Sequence, residues 1–276
     1  DSIFRTPLAS VLPARPSARV LEEPYRPAIS ALGLRHPVTA ELTGAADWGR
    51  WMRQVELEPT SGTVLMEGAE ERPLLLLGGG CVAAEAEAEA RALAAALDAP
   101  TAQTINAKGL LPPGHPLLLG SNQSLRPVRD LALEADVVVA IGTELGETDY
   151  DVVFDGDFRL PGRLIRIDID AQQLQRNFTP HLAIQGDARV AMRMLLAEFD
   201  PRQPGEHSPG AQRTAAVQRR LAEDFSGWAH YRQLFDCILD ALPNARFVGD
   251  STQTVYSGNH LVELDGARRW FNASTG

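Results

Sequence analysis

Two cysteines, Cys81 and Cys237, are all that the 276 residues carry. Neither a disulfide framework nor a cysteine-rich zinc site can be built from them, so a reducing compartment, the cytoplasm, is expected. Positive charge is also short: 26 Lys and Arg stand against 36 Asp and Glu, a net charge of −10. That balance argues against a nucleic-acid or other polyanion partner. No apolar run approaches the roughly 18 residues that a membrane helix needs, so no membrane partner is expected, and no signal peptide is visible. Histidine gives no metal pattern; His36 precedes Pro37 in a loop and has no second histidine nearby. With 44% hydrophobic and 22% charged residues, the chain has the composition of a soluble globular protein. It begins at Asp1 and stops in a loop-like stretch, Phe271 to Gly276, so it reads as a piece of a longer protein.

What is present is organised around Leu74 to Leu77, four leucines bounded by Pro73 and by Gly78, Gly79 and Gly80. This is the pattern of a short strand buried on both faces and closed by a glycine turn. Val82 to Leu97 follows, rich in Ala, Glu, Leu and Arg, and predicts one helix with Ala86, Ala90, Leu93 and Leu97 inward and Glu85, Glu87 and Glu89 mostly off that face. Further strands are expected at Thr101 to Ile105, Val137 to Ile141, Leu164 to Ile167 and, more weakly, Leu182 to Ile184. Helices are expected at Ser124 to Ala135 and Ala188 to Phe199. Strands alternating with helices predict an α/β fold with a doubly wound, mostly parallel Rossmann-like sheet.

Four segments follow from composition. Residues 1–72 are punctuated by prolines and poorly organised, and residues 73–199 form the central α/β domain. Residues 200–211 are a Pro- and Gly-rich linker, and residues 212–276 start a second, incomplete α/β domain. In the last segment Thr214 to Leu242 reads as largely helical, with Val217, Leu221, Phe225, Trp228, Tyr231 and Leu234 as candidate buried positions and Cys237 as a small core residue. That stripe needs cover, either by folding back on the central domain or by pairing with a second copy. A strand at Ala245 to Val248 then runs into Gly249-Asp250-Ser251-Thr252-Gln253.

Two stretches suggest chemistry. Gly78-Gly79-Gly80-Cys81-Val82-Ala83 fits the dinucleotide fingerprint in the right strand-to-helix context. However, Asp98 precedes the second strand instead of ending it, and close helix packing explains the glycines equally well. Asp170 is placed to cap the turn at Ala171 to Gln175. The loop Ser251-Thr252-Gln253, just past a strand's carboxyl end, offers hydroxyls, an amide and free backbone N–H groups to a phosphate.

That loop, together with Arg268-Arg269-Trp270-Phe271-Asn272-Ala273-Ser274-Thr275-Gly276, resembles the thiamine-diphosphate enzymes of the acetolactate synthase and benzoylformate decarboxylase superfamily. Within it the chain looks most like the 5-guanidino-2-oxopentanoate decarboxylases. Residues 73 to 199 are similar to the central domain of that superfamily at Leu76-Leu77-Gly78-Gly79-Gly80, Asn106-Ala107-Lys108-Gly109, Ala135-Asp136, Asp168-Ile169-Asp170 and Gly186-Asp187. The resemblance implies a 2-oxo acid substrate, a lyase or transferase reaction, and a homo-oligomer. It also implies that Ser251, Thr252 and Gln253, with Ser274, Thr275 and Gly276, approach the thiamine diphosphate.

The resemblance places the Mg²⁺ ligands and the activating glutamate in segments that this chain does not show. No catalytic or metal residue is therefore assigned, and the chain alone is expected to be inactive. Flavin-binding members carry an Arg-Phe-Asp-Asp-Arg-like segment where this chain has Glu144-Leu145-Gly146-Glu147-Thr148-Asp149, whose acidity argues against FAD. Residues 1–77 fit the superfamily badly and weakly resemble a bacterial membrane-anchored protein with an amidotransferase-like domain. The alternative reading is a non-catalytic or mosaic Rossmann-like module that binds a nucleotide or a protein partner.

Overall fold

The computed structural model describes residues 72–152, 158–199, 205 and 207–272. The readings made for residues 1–71, including His36, and for Ser274, Thr275 and Gly276 lie outside the described residues. Six strands form one parallel sheet: β1 (Pro73–Leu77), β2 (Thr101–Gln103), β3 (Leu118–Gly120), β4 (Val137–Ile141), β5 (Arg163–Asp168) and β6 (Leu182–Gln185). Their order is β3-β2-β1-β4-β5-β6, a doubly wound arrangement whose direction reverses between β1 and β4. β3 escapes sequence reading because only three residues separate the loop prolines from Gly120, too few to show a period.

The alternation along β1 and β4 divides the core. Leu75, Leu77, Val139 and Ile141 face α1 (Gly79–Ala83), α2 (Glu87–Leu97) and α5 (Ala188–Leu196). Leu74, Leu76, Val138 and Ala140 face α3 (Arg126–Glu134), together with Tyr150 of the short α4 (Glu147–Tyr150). Leu74 to Leu77 are fully buried, as expected of strands covered on both sides.

The helix expected over Val82 to Leu97 is two helices. Glu85 takes a left-handed φ of 53°, which ends α1 and lets α2 start in a new direction. This turn corrects the reading of Glu89, which is buried, at 8% exposure, instead of lying off the apolar face. Its carboxylate accepts from Arg189 at 3.2 Å and Arg193 at 2.6 Å on α5. Burial pushes its pKa up, but its own backbone N–H and the two guanidiniums bring it below the ordinary range.

The glycines after β1 are there for packing. Gly78 N donates to Ile141 O and Gly80 N to Gly142 O, both at 2.9 Å. A Cβ on Gly78 would lie 2.0 Å from Gly142 O. The crevice where a Rossmann fold receives a pyrophosphate is thus filled by the turn after β4, and two amides that would hold phosphate are spent on it. Asp170 does cap its turn, since Gln172 N donates to Asp170 Oδ1 at 2.8 Å.

Beyond the central sheet, α6 (Pro209–Asp224) starts within the Pro- and Gly-rich stretch and folds back on the α3 face, burying Val217 and Leu221. Gly210 lies so close to the turn after α2 that a Cβ would meet Asp98 O at 1.9 Å. The helical stretch after α6 is less covered. In α7 (Ala229–Ala241) Phe235 is the buried residue, Leu234 is exposed, and Cys237 is exposed instead of being a core residue. Among the described residues, the α7 face carrying Cys237 is exposed and the Phe235 side is covered.

Candidate functional site: the β7–α8–β8 unit and its seat

β7 (Phe247–Gly249), α8 (Gln253–Leu261) and β8 (Trp270–Asn272) make a small parallel unit, with Gly249 paired to Asn272. The carboxyl ends of both strands therefore lie at one edge. The loop Asp250-Ser251-Thr252 leaves β7 there, next to Asn272 at the end of β8. Of the two sequence-predicted cofactor segments, Ser251, Thr252 and Gln253 follow β7 at this edge, and Ser274, Thr275 and Gly276 lie outside the described residues.

Within the loop Ser251, Thr252 and Gln253 are all exposed. Thr252 is the N-cap of α8, its Oγ1 accepting from Val255 N at 3.5 Å. Ser251 N donates to Asp250 Oδ1 at 2.7 Å. A Cβ on Gly249 would meet Val255 Cγ2 at 2.4 Å, so glycine is what lets the first turn of α8 close onto the strand end. The open N–H groups of that first turn and the positive end of the helix face the loop, a setting suited to an anion. Asn259, on the same helix, fixes the far strand: its Oδ1 accepts from Trp270 Nε1 at 2.8 Å and from Asn272 Nδ2 at 2.7 Å.

The unit is seated on the carboxyl edge of the central sheet through polar groups that sequence reasoning missed. Lys108, 2% exposed, donates from Nζ to Val262 O at 2.7 Å and lies 5.8 Å from the centre of the Trp270 ring. Burial pushes its pKa down, and the facing Glu263 and Asp149 partly offset that. Burial raises the Glu263 carboxyl, which Lys108 and a hydrogen bond from Gln103 Nε2 at 3.4 Å moderate. His260 pairs with Asn122 at 3.1 Å; burial, with Lys108 nearby, lowers its pKa to about 4 and keeps the ring neutral at pH 7. Arg268 Nη2 donates to Val82 O at 3.1 Å. The aromatic residues Phe235, Phe247 and Trp270 pack edge-on and tilted beneath.

Asp149 belongs to the acidic segment after β4. Arg166, buried in β5, donates to Thr143 O at 2.8 Å and to Arg176 O at 2.6 Å, which fixes the start of that segment. Asp149 Oδ1 then accepts from Ile105 N at 2.8 Å. Burial drives its pKa up to about 6; the Ile105 bond lowers it, the Glu144 charge raises it, and Lys108 lowers it. Between this carboxylate and α8 lies a cleft of about 170 Å³ lined by Ile105, Ser121, Ser124, Thr148, Asp149, Tyr256, Asn259 and His260. Among the described residues no cluster of three or more His, Cys, Asp or Glu could hold a metal ion, and no helix is long and apolar enough to cross a membrane.

Known proteins agree with this architecture. Residues 66–195 match the family described as thiamine pyrophosphate enzyme, central domain. The match begins at residue 66, inside the stretch 1–77 expected to fit the superfamily badly, and takes in the whole of β1. The chain is 37% identical over 206 residues to a protein of Pseudomonas aeruginosa named probable 2-ketoarginine decarboxylase, covering 74% of this chain and 36% of that protein. It is 34% identical over 146 residues to the acetolactate synthase isozyme 1 large subunit of Escherichia coli, covering 50% of this chain and 24% of the relative. It is 28% identical over 211 residues to the mouse 2-hydroxyacyl-CoA lyase 1, covering 70% and 34%. The chain thus spans about a third or less of the length of these relatives. The six-stranded doubly wound sheet and the family match lead to one conclusion: residues 66–195 are a central domain of the thiamine pyrophosphate enzymes, and the chain resembles members of the thiamine-diphosphate-dependent enzyme superfamily.

Proposed function

We propose that this chain supplies the central domain and the first diphosphate-binding elements of an enzyme that decarboxylates or condenses 2-oxo acids. The observation that carries the reading is the pairing of Gly249 with Asn272. It puts the Ser251-Thr252-Gln253 loop and the exit of β8 at one edge, beside the N-terminus of a nine-residue helix. The donor set fits a diphosphate: backbone N–H groups, the Ser251 hydroxyl and the Gln253 amide, all exposed. Asp250 is the one carboxylate in the loop and would repel an anion, so the charge of the diphosphate would have to be neutralised from outside this loop. When bound, thiamine diphosphate supplies the nucleophilic carbon and the electron sink for loss of carbon dioxide. This chain's residues bind and orient: Thr252 sets the helix start, Asn259 holds Asn272 in register, and the Lys108 seat keeps the unit against the central sheet.

Three hydrogen bonds at about 0.5 to 1.5 kcal/mol each give roughly millimolar affinity at most. Titration calorimetry of the chain with Mg²⁺ should therefore show millimolar binding of thiamine diphosphate and none of thiamine. Thr252→Val and Ser251→Ala should each weaken it. Equal behaviour of thiamine and thiamine diphosphate would sink the reading. Micromolar binding would mean that a group other than this loop neutralises the diphosphate. Exposed Leu242, Val248 and Phe271 support association of copies, which light scattering across a concentration series would detect.

A further inference from the structure

One side of α7 has no role in the function proposed above. Arg232, Phe235, Asp236 and Leu239 fall at helical spacings of three and four, so they share that side. Between it and the chain leaving α8, Leu261 to Glu263, lies a cavity of about 290 Å³ with Pro113 in its wall. The cavity is at the end of α8 away from the Ser251-Thr252-Gln253 loop, roughly 13 Å along a nine-residue helix. Its apolar wall is Phe235, Leu239 and Leu261, and Arg232, Asp236 and Glu263 bring one cation and two carboxylates to the same space. Arg232 and Asp236 stand one turn apart, yet among the described residues neither makes an ion pair. Glu263 feels the Arg232 charge without bonding it. Its one hydrogen bond among the described residues comes from Gln103 at 3.4 Å. Lys108 also faces Glu263, but its ammonium is spent on Val262 O.

Opposite charges set apart around an apolar hollow call for a ligand that bears both. Arg232 offers a planar pair of donors to a carboxylate. Asp236 and Glu263 offer acceptors to an ammonium. A monocarboxylate would leave both acidic side chains without a partner, and a plain amine would leave Arg232 without one. A solvated charge pair does not account for the arrangement, because Phe235, which lies between the two charges on the helix, is buried. The carboxyl across the cavity is raised by burial, so a cation brought to it is welcome. About 290 Å³ is at the lower end of ligand pockets, which begin near roughly 300 Å³. That leaves room for a short apolar chain against Phe235 and Leu239, and none for a nucleotide.

From this we infer that the cavity between α7 and the end of α8 binds a free α-amino acid with a short apolar side chain, its carboxylate on Arg232 and its ammonium on Asp236 and Glu263. Such a ligand joins α7 to the stretch whose Val262 O anchors Lys108, so it tightens the seat of the β7–α8–β8 unit. The whole chain is titrated by calorimetry with L-norvaline, with butylamine, which lacks the carboxylate, and with 2-oxopentanoate, which lacks the ammonium. L-Norvaline should bind about tenfold more tightly than either, the gain of one charge-assisted hydrogen bond. Hydrogen exchange should slow around residues 232–239 and 258–263 when it binds. Arg232→Gln should bring L-norvaline to parity with butylamine, and Asp236→Asn should narrow its margin over 2-oxopentanoate. Both side chains are exposed, so circular dichroism should report an intact fold. Should a variant not fold, the comparison of the three compounds in the wild-type chain still decides. Parity among them, binding of none, tightest binding of 2-oxopentanoate, protection confined to other segments, or an unchanged margin over butylamine in folded Arg232→Gln would overturn the inference. These outcomes leave the diphosphate reading where it stands, since thiamine against thiamine diphosphate decides that.

Discussion

β1 and β7 are both short strands that run into a glycine and then a helix, but their surroundings differ. β1 is the middle of a six-stranded sheet, and Leu74 to Leu77 touch no solvent. Among the described residues β7 has one neighbour, β8, and one covered face: Phe247 packs on Phe235 and Trp270 while Val248 is 83% exposed. The sequences mirror this. Leu-Leu-Leu-Leu has no polar face to give away, whereas Arg246-Phe247-Val248-Gly249 has little apolar surface to spare. The central sheet is held by its own core, and the C-terminal unit is held largely by a few polar anchors and one aromatic cluster.

The largest effect expected from this contrast lies in the strands. Leu75→Ala should lower unfolding free energy by about 3 kcal/mol, the usual cost of a buried leucine, and Val248→Ala by no more than about 0.5 kcal/mol. Chemical denaturation of both variants checks this, and comparable losses would break the comparison. Next comes the anchor. Lys108→Met removes the donor from Val262 O and the countercharge of Glu263, a loss of about 2 kcal/mol. Hydrogen exchange should speed up in α8 and β8 and stay unchanged in β4. Uniform acceleration would mean the two regions unfold as one.

A smaller effect has the opposite sign. The folded-state pKa of Asp149 is raised from 3.8 to about 6. Its protonated form thus favours the fold, a contribution present below pH 4 and lost as pH rises through 6. Asp149→Asn should then stabilise the chain at pH 7.5 and do nothing at pH 4. His260 runs the other way: its pKa is depressed to about 4, so its contribution is present above its unfolded value near 6.5 and fails as pH drops through 4. Thermal midpoints of wild type and Asp149→Asn across pH 4 to 8 separate the two. The mildest test leaves stability alone. Cys237 is exposed, whereas Cys81 is buried, gives its proton to Ile141 O at 3.3 Å and has its pKa pushed up to about 12 by burial. A thiol reagent should count one cysteine in the folded chain and two in denaturant.

Much of the sheet was legible, because period and composition are local. The strands at Leu74, Thr101, Val137 and Leu164 fall where their apolar runs put them, all parallel. The break between α1 and α2 was hidden because Ala and Glu favour helix on both sides of Glu85. Glu89 was misplaced for the same reason. For the site, the loop at Ser251 to Gln253 was visible as small polar residues after a strand. Lys108, Asp149, His260 and Glu263 were not, because their meaning lies in partners far along the chain. The Lys108–Val262 bond spans 154 residues, and no periodicity records such a meeting. Asp149 was noticed only as part of an acidic run, which gave its sign and not its burial.

That same span has a consequence for how the molecule assembles. Closing a loop of 154 residues before any contact rewards it is entropically costly. The strands of the central sheet meet over far shorter stretches, as when β1 pairs with β2 and β4. The central sheet should therefore form first and present Lys108, Gln103 and Asn122 as a finished platform. The β7–α8–β8 unit docks afterwards, late in the order of events. In stopped-flow refolding, Trp270 should report a slower phase than the backbone signal, and Lys108→Met should slow or abolish that phase while sparing the first.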